Sequence, residues 1–168
     1  MESMAIAAAL SLLMGSLATA GAQPPATQPT GAQSTEVRAV QNWLRCEECS
    51  DGELQALLRL GTTAVPLLGS ALRDGPPQAQ REENRQHLVA TYRSLTEYAR
   101  THPFSPVPMT EVEYVQRHMD HYVGLYQTRG ARGLGAIGGQ DARRELTQAL
   151  DLPLPPDVLV AVRESLAR

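Results

Sequence analysis

Apolar residues recur with a helical period from about residue 36 to the C-terminus, and no segment shows the sustained alternation of a strand. Val37, Val40, Trp43 and Leu44 stand at i, i+3, i+6 and i+7 behind Thr35-Glu36, which predicts a first helix from residue 35. Leu54, Leu57 and Leu58 predict a second helix. Ser50, three residues before Glu53, supplies its capping box, and Asp51 and Glu53 place negative charge on its positive end. Gly61 can take a left-handed backbone and stop that helix, after which Thr62 or Thr63 can cap the next. Pro66 sits harmlessly in the first turn of this third helix, whose inward face is Ala64, Leu68, Ala71 and Leu72 and whose end is Gly75-Pro76-Pro77. Leu88, Tyr92, Leu95 and Ala99 then predict a long amphipathic helix, closed by Pro103, Pro106 and Pro108. Thr110 and Glu113 make a second capping box ahead of a stripe formed by Val112, Val115, Met119, Tyr122 and Tyr126. That helix continues through Leu134 and Ile137 to a stop at Gly138-Gly139, with Gly124 and Gly130 as places where it could kink. Ala142, Leu146, Ala149 and Leu150 face inward from the next helix, and Val158, Val162 and Leu166 from the last, with Pro153, Pro155 and Pro156 between the two.

Two of these turns repeat one another. Leu58 to Ala64 and Ala136 to Ala142 both read as helix, glycine turn, alanine, and with one inserted residue the inward positions Ala64, Leu68, Ala71 and Leu72 match Ala142, Leu146, Ala149 and Leu150. Aromatic residues are only 4% of the chain, so the core must be built from Leu, Val and Ala, which suits packed helices better than a β-sandwich. The segment RGARGLGAIGGQDARRELTQAL, residues 129–150, resembles a HEAT-like repeat of the short bacterial type, in which an arginine-rich first helix ends in a glycine turn before an alanine- and leucine-rich second helix. ELQALLRLGTTAVPLLGSAL, residues 53–72, is similar, and Val160 to Ala167 resembles the start of a further repeat. The resemblance implies stacked helix pairs that bind a protein partner along one face. Residues 78–126 do not fit the repeat period, so the expected fold is all-α: an irregular helical bundle, or short α-solenoid, with HEAT-like ends.

The N-terminus reads as an export signal over residues 1–22, with an apolar run from Ala5 to Ala20 and small-x-small cleavage patterns at its end, although Met1-Glu2-Ser3 carries no positive charge. The run is too short for a membrane span, so no stable membrane insertion is expected after cleavage. Residues 23–34 form a Pro/Thr/Gln tether, which leaves residues 35–168 as one helical domain in the periplasm or outside the cell. The formal net charge of −3 gives no electrostatic pull toward nucleic acid.

Cys46 and Cys49 are the only cysteines, and in an exported chain a Cys-x-x-Cys pair is expected to oxidise. A disulfide staple that fixes the turn between Trp43 and Ser50 is one reading of the pair. A thiol-redox site is another, opposed by acidic Glu47 and Glu48 beside the sulfurs. A zinc site would need two more ligands from distant histidines. A c-type haem would need His after Cys49, where Ser50 stands. His118 and His121 share a ridge with Tyr114 on the long helix, where two imidazoles could hold a metal or simply pack at a helix edge. His87 and His102 read as solvated or capping groups. Arg129, Arg132, Arg143 and Arg144 read as a solvated face with Asp141 and Glu145 as partners rather than a basic patch. No G-x-S-x-G elbow, P-loop or H-E-x-x-H is present, and the glycines from 130 to 139 follow no strand. The chain therefore reads as a non-catalytic interaction domain without cofactor or metal. Its protein partner would dock on the Tyr114, His118 and His121 ridge or around Arg143, Arg144 and Gln148. The rival reading is a periplasmic thiol-redox or metal-binding protein acting through Cys46 and Cys49.

Overall fold

The computed structural model describes residues 31–46, 48–102 and 104–168, so the expected leader and most of the tether lie outside the described residues. The domain is an all-α bundle of α1 (Gly31–Arg45), α2 (Asp51–Leu60), a 3-10 turn (Gly61–Ala64), α3 (Val65–Asp74), α4 (Gln78–Thr101), α5 (Glu111–Ile137), α6 (Gly139–Ala149) and α7 (Pro156–Leu166). α1 starts four residues earlier than expected. The last proline of the tether is Pro29, and beyond it nothing removes a backbone donor.

The helix ends follow local chemistry. The Glu53 carboxylate accepts from the Ser50 amide at 2.6 Å and the Ser50 hydroxyl at 2.8 Å. At α5 the box is reciprocal: Thr110 Oγ1 accepts from the Glu113 amide at 3.3 Å while the Glu113 carboxylate takes the Thr110 amide at 2.8 Å. The repeated turns are alike in backbone as well as in sequence, with Gly61 at φ 54° and Gly138 at φ 67°. Between Gly61 and α3 the chain makes one 3-10 turn, in which the Thr63 hydroxyl donates back to the Leu60 carbonyl at 2.7 Å instead of capping α3.

α5 is the axis of the bundle and packs most extensively against α3 and α7. Leu57, Leu68, Leu72, Leu134, Leu146, Val158 and Val162 are fully buried around it, and among the described residues Trp43 and Tyr126 are the aromatics of this core. The helix runs unbroken through Gly124 and Gly130. Its glycines serve packing. A Cβ on Gly130 would stand 2.9 Å from the Leu72 nitrogen, one on Gly133 would meet the Trp43 indole and Leu68, and one on Gly135 would stand 2.7 Å from Ser165 Cβ. Three missing side chains thus let α3, α1 and α7 approach one rod. Polar bonds lock these approaches. The Trp43 indole N–H donates to the Arg129 carbonyl at 2.9 Å, and Arg129 Nη1 donates to the Leu44 carbonyl at 3.1 Å. Buried Gln127 donates to the Leu72 carbonyl at the end of α3 at 3.1 Å, which satisfies an acceptor that the helix itself leaves open.

The helical periodicity locates the helices but misassigns some faces. α4 has no buried residue and packs essentially on α5 alone; Leu88, Tyr92 and Ala99 are half-buried and Leu95 is exposed. With the first half of α5 it forms an antiparallel hairpin standing off the core, its 24 residues spanning roughly 36 Å. Val115 and Met119 are buried against it, but Val112, expected on the same stripe, is 77% exposed. Val37 and Leu150 are also exposed, so the fourth correspondence of the internal repeat fails while Ala64/Ala142, Leu68/Leu146 and Ala71/Ala149 are buried in both copies. Among the described residues α4 packs essentially on one helix, Val37 lies in the first half of α1, and Leu150 follows α6.

Candidate interaction surfaces

Cys46 and Cys49 form a disulfide, with Cα atoms 5.1 Å apart, in the link from α1 to α2. Cys46 is half-buried against the core and Cys49 is exposed. The bond lies directly between buried Trp43 and the Ser50 cap, so it joins the end of one helix to the start of the next.

The expected histidine ridge divides. Tyr114 and His118 are half-buried with ring centroids 4.3 Å apart, and Tyr114 also meets Tyr92 of α4 at 5.5 Å. The Tyr92 hydroxyl donates to the Met109 carbonyl at 2.8 Å, so this aromatic group seals the hairpin from within. His121, one turn further, is exposed. His102 caps α4: its ring lies on Tyr98 at 3.8 Å, and its Nδ1 is 3.0 Å from the Tyr98 carbonyl oxygen. Among the described residues no three His, Cys, Asp or Glu side chains are grouped to hold a metal ion.

Arg143, Arg144 and Gln148 are all exposed on α6. Arg144 pairs with Asp141 at 3.2 Å. Glu145, expected as a second partner for this face, instead pairs with Arg73 and ties α6 to α3. Arg129 is directed to the end of α1, away from any shared basic patch. The structure therefore brings the α6 residues together on one helix and leaves them separate from the histidine ridge.

Sequence reasoning missed the far end of the hairpin. Phe104 in the link is 98% exposed, and Leu95 and Tyr98 in the last turns of α4 and Val112 in the first turn of α5 are exposed as well. A signal was present: an aromatic residue inside a proline-rich link has no helix face on which to hide. A second apolar surface is a groove of about 290 Å³ between α1 and α3, floored by Val40, Leu44, Ala71 and Tyr126 and edged by Val37 and Leu67. Burial raises the Tyr126 and Tyr122 phenols above their ordinary range. Among the described residues no helix is long and apolar enough to cross a membrane. No family model matches the chain, and none of the curated proteins or solved structures matches it either.

Proposed function

We propose that this chain is a non-catalytic, exported protein-interaction domain built on HEAT-like helix pairs, and that it engages its protein partner with the α4–α5 hairpin. The observation that carries the reading is the apolar end of that hairpin, where Phe104 is 98%, Val112 77%, Tyr98 55% and Leu95 40% exposed. Exposed apolar side chains are the groups that a partner's surface covers, and aromatic anchors supply most of the energy of such contacts. The matching φ values of Gly61 and Gly138 and the paired burial of Ala64/Ala142 and Leu68/Leu146 support the repeat origin of the scaffold. The apolar run from Ala5 to Ala20 and the disulfide support an oxidising compartment. This reading favours the hairpin over the two surfaces expected from sequence, because Tyr114 and His118 are spent on internal packing and the α6 arginines lie on an ordinary solvated face.

A photo-crosslinking residue at position 104 in the native host, compared with one at position 148, tests the proposal. A defined adduct from 104 that disappears in V112D, with thermal stability unchanged, is the expected result. An adduct from 148 alone, or capture indifferent to V112D, would move the docking face to α6 and sink the hairpin reading.

A further inference from the structure

A second surface carries unspent polar groups of both signs. Where α4 leaves the core, a cleft of about 350 Å³ opens between the first half of α4, the middle of α5 and the end of α1. Glu83, Asn84 and His87 line it from α4, Tyr122 and Leu125 from α5, and Arg45 closes it from the last residue of α1. The spacing follows from helix geometry, since residues three and four apart share a face on each wall. Arg129 on the α5 wall holds the Leu44 carbonyl, which fixes the end of α1 and with it the position of Arg45.

Among the described residues neither Arg45 nor Glu83 has an ion-pair partner. Both charges act on one atom group: the Tyr122 phenol, raised chiefly by burial, is lowered by Arg45 and raised by Glu83. Arg45 from α1 and Glu83 from α4 thus line the same cleft as the half-buried Tyr122 side chain. The Asn84 amide donates to the Met119 sulfur, a weak acceptor, at 3.4 Å. Leu125 supplies an apolar wall beside these groups. A free anion here is attracted by Arg45 and Arg129 and repelled by Glu83, and a free cation meets the reverse. A molecule bearing both charges satisfies both residues, and the cleft volume lies at the small end of ligand sites.

We propose that this cleft binds a small zwitterion of α-amino-acid size, its carboxylate on Arg45, its ammonium on Glu83 and its side chain against Leu125. The site is separate from the hairpin end and does not depend on the partner-binding role.

The test is calorimetric titration of the full chain with each of the twenty L-α-amino acids in turn, up to about 10 mM, followed by R45Q and E83Q with the best binder. Both side chains are exposed, so these variants are expected to keep the wild-type melting temperature. The expected result is saturable binding of at least one amino acid, weakened about tenfold or more by each substitution, and equally weakened when the ligand lacks its amine or its carboxylate. Binding of the deaminated acid as tightly as the amino acid would overturn the zwitterion assignment. No binding by any of the twenty, or affinity indifferent to R45Q and E83Q, would overturn the site itself.

Discussion

Substituting Ala for Gly at two positions of the same helix tests the packing argument with its own internal control. Gly130 and Gly124 both lie inside α5 and neither has a positive φ, so Ala improves helix propensity by about 1 kcal/mol at each. Around Gly124 nothing lies within 4 Å of the new Cβ, and G124A should stabilise the protein by about that amount. Around Gly130 the new Cβ meets the Leu72 nitrogen at 2.9 Å and the Leu68 oxygen at 3.0 Å. These are backbone atoms of α3, which cannot rotate aside as a flexible side chain would, so the two helices must move apart. Overpacking of this kind costs about 1–3 kcal/mol. The propensity gain cancels in the comparison, so G130A should lie about 1–3 kcal/mol below G124A. At about 4 °C per kcal/mol for a domain of this size, the two melting temperatures should differ by about 4–12 °C. Thermal unfolding followed by circular dichroism measures this directly. If G130A melts at or above G124A, α3 and α5 are not in close backbone contact and the account of the glycine ridge is wrong.

The disulfide closes a very short loop, so replacing Cys46 and Cys49 together by Ser should lower unfolding free energy in urea by about 2 kcal/mol while partner capture persists. Unchanged stability with lost function would instead mark the pair as a thiol-redox site. The two capping carboxylates give a pH signature. Hydrogen bonds from the Ser50 hydroxyl and then its amide lower Glu53, and bonds from the Thr110 amide and then its hydroxyl lower Glu113, both from about 4.5. Each folded-state pKa lies below its unfolded value, so the stabilisation is complete above about pH 4.5 and is lost as pH falls through the folded value. Melting temperature should therefore drop on acidification below pH 4.5, less steeply in E53Q and E113Q; parallel curves for wild type and both variants would contradict the capping assignment.

What the sequence alone determined is local. Capping boxes at Ser50 and Thr110, glycine stops at Gly61 and Gly138 and proline-rich links act within a few residues of themselves, so they can be read without knowing the fold. The aliphatic core followed from the scarcity of aromatics, and an i to i+3 cysteine pair needs only its own turn to close. What only the tertiary structure decided is which apolar faces find a cover. Leu95 and Val112 obey a helical period as faithfully as Leu68 and Leu134, yet the former pair is exposed and the latter buried. Periodicity defines a face but does not supply the neighbour that buries it. The same limit hid the role of Gly130, Gly133 and Gly135, whose meaning lies in atoms of α3, α1 and α7 that are distant along the chain. It also hid the cleft, since Arg45, Glu83 and Tyr122 come together only because α5 threads between the helices that carry the other two.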